Sequence, residues 1–581
     1  MSSQLLSTAY THPLSLSALA DKAWTSATEA ALKLSGAYGW SNPLCKLAEA
    51  GVINTLQNIT NGQLRIQTPS RTYVFPKSIT SSNKNPTLLA EIRVLKPTFW
   101  LRLALMSDLG FAEAYMFGEA DCPDLISLFS IFLNNRAALS SMSVPLASVM
   151  TRISNVLAHS HFVNSLGNAR GNISAHYDIG NDMFMGFLSR DMTYSCAIFR
   201  DLDGDLRPAP SASPSRSPAA LPGAMLGKSH GNKPVLPAVL VHTEGDNHLD
   251  IGQPLGTAST GSSTPTVVST DDEDHGATKI DINKLKSHVM DAVDTITSDY
   301  ADDEDELYEA QIRKLEHIIK KCDIRPGHRV LEIGSGWGSM ALQITRTIPG
   351  TTVDTLTLSV QQQEITDRRI REVYGEKGHE RVRCHLMDYR DMPAEWEGAF
   401  DRVVSIEMIE AVGKEFLETY WSQVNWALKK DTGVGCVQVI TIPESRYDAY
   451  SQGTDFIQKW VFFPGGHLPT LTHLITSLTA GSKNSLVVDS VSNIGPHYAR
   501  TLREWRRRFE WSFDSVIVPA LKKEYPEMSG PNGEFEIEVF RRKWIYYYCY
   551  CEIGFSTRTL GDHIITFARE GYDGYGCQVY A

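Results

Sequence analysis

HRVLEIGSGWGSMALQI (residues 328–344) is an apolar run that enters a glycine turn and leaves it as a helix. Val330, Leu331 and Ile333 make the run strand-like, and Gly334, Gly336 and Gly338 follow at alternate positions. Glycine lets the chain turn tightly and lets a ligand approach the backbone with no Cβ in the way. On the amino-terminal side, Tyr308, Ile312, Leu315, Ile319 and Cys322 recur every three or four residues, which predicts a helix with one apolar face, ended by Pro326-Gly327. On the carboxyl side TTVDTLTL (351–358), RVRCHL (381–386), FDRVVSIE (400–407) and GVGCVQVITI (433–442) alternate with helical stretches. That rhythm predicts an open, doubly wound α/β sheet with crossover helices.

In such sheets the ligand sits beyond the carboxyl ends of the strands. The glycine spacing is GxGxG rather than the GxGxxG of dinucleotide sites, and an acid, Glu332, precedes the first glycine. This favours an S-adenosylmethionine site over a dinucleotide site. The second strand ends in Thr355-Leu356-Thr357-Leu358-Ser359, with Gln361-Gln362-Gln363 behind it. Asp354 is a weak candidate for a ribose contact because it precedes the end of that strand. Asp388-Tyr389 has two readings: an adenine edge, or a helix N-cap beside a core aromatic.

Residues 1–150 are expected to form a smaller N-terminal α+β domain. Leu64 and Ile66 alternate with polar neighbours, Pro69-Ser70 supplies a turn, and Tyr73, Phe75, Ile92 and Val94 continue the pattern. Residues 151–200 lead into the sheet domain, which resumes at 307–581. Between them, residues 201–306 carry 19 Asp/Glu against 7 Lys/Arg, while the rest of the chain carries 48 of each, so the net charge of -12 belongs to this segment alone. Rich in Pro, Ser, Thr and Gly, it is expected to be a disordered acidic insertion with one short helix near 282–296.

The neutral remainder gives no duplex nucleic-acid footprint. No run of about eighteen uncharged apolar residues predicts a spanning helix, and the start MSSQLLSTAY has no signal-peptide character. The nine cysteines are scattered apart from Cys549 and Cys551, without zinc-type spacing, so no metal is expected and a reduced intracellular chain is.

Six stretches together resemble the cyclopropane-fatty-acyl-phospholipid synthases, relatives of the mycolic-acid cyclopropane synthases: HYDIGNDMFMGFLSRDMTYSCAIF (176–199), VLEIGSGWG (330–338), LTLS (356–359), FDRVVSIEMIEAVG (400–413), FPGGHLP (463–469) and HYARTLREW (497–505). DLGFAEAYMFGEADCPDL (108–125) resembles the lipid-associated N-terminal domain of the longer bacterial type. The resemblance implies a Rossmann-like methyltransferase sheet that uses S-adenosylmethionine to build cyclopropane rings on unsaturated phospholipid acyl chains. Tyr194, Ser195, Gly334, Gly336, Thr357, Gln362 and Tyr389 align with cofactor contacts, and Glu332, Gly338 and Asp388 belong to the same motifs. Cys196, Glu410, Ile440 (through its backbone) and Tyr498 align with a pocket for a bicarbonate ion, the base in that family. Where that pocket has histidine this chain has Gln438, and the family's Glu-His-Val-Gly is Glu410-Ala411-Val412-Gly413. Both departures resemble the eukaryotic branch. Glutamine donates and accepts hydrogen bonds but carries no proton or charge.

The chemistry so implied sets three demands. An alkene attacks a sulfonium methyl only when held close, in line and dry. The carbocation that follows calls for electron-rich faces, for which Tyr177 and Tyr498 are candidates, while most rings of WIYYYCYCEIGF (544–555) are expected in the core. A shielded base must then take a proton. Glu410 is expected to be that base or to orient a bound anion, and Cys196 to position the base rather than to act as a nucleophile. Arg500 to Arg508 and FRRKW (540–544) are candidates for docking a cytoplasmic chain peripherally on anionic lipid, with solvated helix faces as the alternative. The bacterial relatives suggest a homodimer. Two other functions stay open: a methyltransferase that leaves a methyl branch or acts on another lipid, and a non-catalytic lipid-binding protein with a retained cofactor fold.

Overall fold

Alternating apolar and polar residues pair as strands in the N-terminal part: β1 (Gln63–Gln67), β2 (Thr72–Phe75), β3 (Leu89–Val94) and the two-residue β4 (Ala120–Asp121) lie in the order β2-β1-β3-β4. The register sets Leu64 opposite Phe75 and Ile66 opposite Tyr73 and Ile92, so one face is apolar. The computed structural model describes residues 40, 42–77, 88–140, 180–207, 305–453, 455–461 and 466–574. Residues 208–304, the short helix expected near 282–296, and Tyr177 lie outside them. A helix at Thr98–Met116, broken at Ser107 where φ is 54°, covers this sheet. The acids of the motif at 108–125 close a buried ion network there: Arg102 meets Glu113 at 2.7 Å and Glu119 at 3.0 Å, and Lys459 meets Glu113 at 2.8 Å.

The larger sheet has seven strands: β5 (Arg329–Ile333), β6 (Thr352–Thr357), β7 (Val382–Leu386), β8 (Arg402–Ile406), β9 (Val434–Thr441), β10 (Leu486–Asn493) and β11 (Gly561–Arg569). Their order is β10-β11-β9-β8-β5-β6-β7, parallel from β9 to β7, with β11 antiparallel to both neighbours. From β5 the chain winds outward through β6 and β7, then returns to β8 on the other side of β5. The strand order reverses at β5/β8, which opens a crevice at the carboxyl ends of those strands. The fold is thus a Rossmann-like α/β methyltransferase sheet with a smaller α+β portion.

The helix Glu306–Lys321 starts on the Asp305 cap, with acids in its first turn and Lys320 and Lys321 in its last, as the helix dipole favours. Its buried face is wider than the one the apolar periodicity predicts: Leu315, Ile319 and Cys322 of that stripe are inside with Leu307, Ala310, Gln311, Lys314 and Ile318, while Tyr308 and Ile312 are half-buried. A glutamine and a lysine sit in the stripe because both donate to Ser195 of the segment packed beside this helix, and Lys314 also lines the crevice. The helix Gly533–Ser556 serves both sheets. Tyr546 packs on Phe129 and Phe456 on the N-terminal side, and Trp544 and Tyr548 pack on Phe187 and Phe509 on the other.

The structure corrects the expected basic docking surface. Arg500 is 1% exposed, lies over the Phe199 ring at 4.4 Å and meets Glu306 at 2.5 Å. Arg503 meets Asp205 at 2.6 Å and Arg508 meets Asp305 at 2.5 Å. In FRRKW, Lys543 is buried and Arg542 meets Glu538 at 2.9 Å. Cations matched this closely by acids project little field toward an anionic surface; here they hold the two ends of the acidic segment against the helix Gly495–Ser512. No described helix is long and apolar enough to cross a membrane.

Candidate active site

The cavity at the β5/β8 crevice has a glycine wall and an acid wall. On the glycine wall the turn after β5 is tied to β6: Gly334 N and Ser335 N donate to Leu356 O at 3.1 and 2.8 Å. Gly334, Gly336 and Gly338 all have left-handed φ, at 100°, 48° and 86°. A Cβ at Gly336 would meet nothing within 4 Å, so the turn is open there to the cavity it lines. Gly338 does not line the cavity; it starts the helix Ser339–Thr347 against Thr366.

Thr357 and Gln362 come together at the end of β6, where Thr357 Oγ1 donates to Gln362 Oε1 at 2.7 Å. Ser359 caps the helix Val360–Tyr374 by accepting from Gln362 N. Asp388-Tyr389 lies at the cavity and also serves the cap and core packing that the second reading expects. The pair lines the cavity, yet Asp388 also caps a short turn and grips Arg390 at 2.6 Å, and Tyr389 packs on Tyr420 at 5.4 Å. Asp354 is elsewhere: Arg329, Arg383 and His385 surround it. Burial would raise its carboxyl, but the hydrogen bonds from Arg383 and His385 hold it well below the usual range.

Glu332 is buried at the cavity, and one of its carboxyl oxygens has no hydrogen-bond partner. Burial pushes this carboxyl up to about 8. Next to it the segment 192–196 crosses from the helix Glu306–Lys321. Lys314 Nζ donates to Ser195 Oγ at 2.6 Å, and Gln311 Nε2 donates to Ser195 O at 2.8 Å. Burial lowers the Lys314 ammonium, opposed by the nearby carboxyls of Glu407 and Asp191. Tyr194 and Tyr547 bring their hydroxyls to 3.2 Å of each other over the cavity.

The acid wall centres on a residue the sequence reading missed. Glu407 follows β8 with a left-handed φ of 47° and lines the cavity. Its Oε1 accepts from Cys196 N at 2.8 Å and Gln438 Nε2 at 2.7 Å, and its Oε2 accepts from Tyr498 Oη at 2.7 Å. Gln438 Nε2 also donates to Asp562 Oδ2 at 2.8 Å, so the glutamine bridges two carboxyls. Burial pushes Asp562 well above the usual carboxyl range and the Glu407 charge adds to it. Burial also raises Glu407, but the Cys196 N–H and the Tyr498 hydroxyl oppose the rise. The rise is therefore opposed by more donors at Glu407 than at Asp562.

Glu410 lies deeper than a rim residue would, at 1% exposure, with Oε1 accepting from Ile440 N at 2.5 Å. Burial first, and the Glu407 charge second, push it up to about 8. Cys196 and Gln438 do not line the cavity; both are fully buried behind Glu407. The Cys196 thiol faces Ile494 O at 3.6 Å, and burial pushes it well up, which leaves it protonated and unsuited to nucleophilic attack. Tyr498 stacks on Phe555 at 4.4 Å and meets Trp505 edge-on at 5.9 Å. Glu407 stands three residues before Glu410 at a strand's carboxyl end, a local signal that could have been used. Lys314 and Asp562 offered none. Among the described residues no cluster of metal-ligand type occurs.

The family model of mycolic acid cyclopropane synthetase matches residues 164–216 and 281–560. The chain belongs to that family. It is an S-adenosylmethionine-dependent methyltransferase of that family. It is 29% identical over 463 residues to the tuberculostearic acid methyltransferase UfaA1 of Mycobacterium tuberculosis, covering 80% of this chain and 79% of that one. It is 30% identical over 287 residues to the cyclopropane-fatty-acyl-phospholipid synthase of Escherichia coli K12, covering 49% of this chain and 65% of that one. A sphingolipid C9-methyltransferase of Candida albicans is 31% identical over 217 residues, 37% of this chain and 41% of its own. Among solved structures, the cyclopropane synthase MmaA2 of Mycobacterium tuberculosis superposes with a TM-score of 0.43 at 18% identity, over 69% of this chain and 98% of that one.

Proposed function

We propose that this chain transfers a methylene unit from S-adenosylmethionine to the double bond of an unsaturated phospholipid acyl chain and closes a cyclopropane ring. The observation that carries the reading is the meeting, in one cavity, of the open glycine turn with buried carboxyls and tyrosine faces. The glycine wall fits the cofactor. The left-handed turn leaves room at Gly336, the unpartnered oxygen of Glu332 can accept from a cationic ligand, and Thr357, Gln362 and the Asp388-Tyr389 edge offer polar contacts beside it. When bound, the cofactor supplies a methyl group on positively charged sulfur.

The chain's own residues do the rest. Tyr194, Tyr547 and Tyr498 line the cavity and supply electron-rich rings beside positive charge on the acyl chain. The rings and the buried strand ends keep water out, which strengthens every interaction with that charge. A carboxylate on the acid wall takes the proton whose loss completes the product. Expression in a bacterium without its own cyclopropane synthase tests the reading, with gas chromatography–mass spectrometry of phospholipid acyl chains and NMR of any new species. Cyclopropane chains support it.

A second reading is favoured by the long match to the tuberculostearic acid methyltransferase, which runs through both parts of the chain. In it the same methyl transfer leaves a methyl-branched product. A ring and a methyl-branched alkene have the same mass, and NMR separates them.

A further inference from the structure

The residues that the family resemblance assigns to a bicarbonate ion are, in this chain, bonded to its own side chains. Cys196 N, Gln438 Nε2 and Tyr498 Oη converge on the Glu407 carboxylate at 2.7–2.8 Å. The remaining donor, Ile440 N, is taken by Glu410. A second anion set against these donors would meet the Glu407 carboxylate and find all four donors already used, which is unfavourable in a buried site. The residues present do not fit bicarbonate.

Resting on the methyl-transfer reading above, we infer that Glu407 is the general base of this enzyme, a carboxylate built into the chain in place of a bound bicarbonate. The geometry supports it in three ways. Glu407 lines the cavity, whereas Asp562 and Gln438 stand behind it. Its backbone is held in a left-handed conformation and pinned by Glu407 N donating to Gln438 O at 2.8 Å, a strained arrangement of the kind found where a side chain must be aimed. Its three donors favour its charged form, while Asp562 accepts only the second hydrogen of the Gln438 amide. In the step itself, the transferred methyl is bonded to one alkene carbon and has left the sulfur. One of its C–H electron pairs forms the second C–C bond, and the proton passes to the Glu407 carboxylate, which releases it to solvent after product leaves. No oxidant or reductant is needed.

The test uses the full-length enzyme, vesicles of unsaturated phosphatidylglycerol, S-adenosylmethionine and buffer stripped of carbon dioxide. Wild type is expected to turn over equally with and without added bicarbonate. Glu407→Gln is expected to lose about 10³-fold in rate, in the range of a lost general base, while still binding S-adenosylmethionine. Glu407→Gly suits the left-handed backbone and frees the three donors; it is expected to be inactive in stripped buffer and to recover at least about tenfold with bicarbonate or formate. Binding of 13C-bicarbonate followed by NMR gives a readout independent of turnover: it is expected for Glu407→Gly and not for wild type. Saturable bicarbonate binding to wild type, a wild-type requirement for bicarbonate, or full activity of Glu407→Gln would overturn the inference. Absence of product from wild type, with the 13C binding pattern as expected, would remove the methyl-transfer reading and leave Glu407 in the bicarbonate position.

Discussion

The two walls of the cavity are built on opposite principles. The glycine wall works through main chain: Gly334 and Gly336 need φ values that other residues resist, and its side-chain partners, such as Thr357 and Gln362, are five residues apart. The acid wall works mainly through side chains, those of Lys314, Glu407, Glu410, Gln438, Tyr498 and Asp562, with a backbone N–H from Cys196. A main-chain site fails when a Cβ intrudes. A buried-charge site fails when the balance between carboxyls and donors is upset. The contrast teaches that binding geometry can be local, whereas a carboxylate kept dry needs neutralising partners from every side.

Substitutions that disturb one wall and spare the other would sharpen this contrast. After Glu407→Gln, the largest effect is expected from Gly338→Ala. Its φ of 86° costs an L-residue about 1–2 kcal/mol, and the new Cβ would stand 2.8 Å from the buried Thr366 methyl. A loss of about 10²-fold in S-adenosylmethionine affinity is expected by calorimetry, equivalent to about 3 kcal/mol, with a lowered melting temperature. Next, Tyr498→Phe deletes a hydrogen bond to a charged group, worth roughly 1.5–3 kcal/mol. It is expected to lower kcat about 10–10²-fold while cofactor affinity stays constant. A shift in cofactor affinity as large as that in kcat would mean that the walls are not separable.

Glu410→Gln is expected to cost less than Glu407→Gln, about tenfold in kcat, because a carboxyl raised to about 8 is largely neutral at pH 7 and a poor proton acceptor there. The reverse order would make Glu410 the base. The smallest effect is on stability. Folding raises Glu332 from 4.5 to about 8. Between those values the folded chain holds a proton that the unfolded chain has lost, so this group makes stability fall as pH rises from about 5 to 8. Glu332→Gln is expected to flatten that decline in urea melts at a series of pH values. An unchanged slope would show that Glu332 is charged in the folded protein.

The correction on the arginine helix has the same origin as the misses at the cavity. Arg500, Arg503 and Arg508 look in sequence like a basic surface, and fold against Asp205, Glu306 and Asp305 from the two ends of the acidic segment. The helix Glu306–Lys321 shows it again. Apolar periodicity found the helix and part of its buried face, Leu315, Ile319 and Cys322, and missed Gln311 and Lys314, which are inside for polar reasons that a hydrophobic count scores as outside.

What the sequence alone determined is the part carried by short-range rules. Strand, glycine turn and helix around residues 328–344, the alternation of strands and helices after it, and the pairing of β1 with β2 follow from side-chain period and backbone freedom, which act over a few residues. Thr357 and Gln362 were singled out by the family resemblance, and the structure joins them through one hydrogen bond at the end of β6. The tertiary structure decided which charges meet. Glu407 and Asp562 are 155 positions apart and Lys314 precedes both by more than ninety; the two acids meet because β8, β9 and β11 are neighbours in the sheet, and Lys314 reaches them from the helix Glu306–Lys321. Electrostatic free energy depends on distance in space and on burial, and neither is written in chain order.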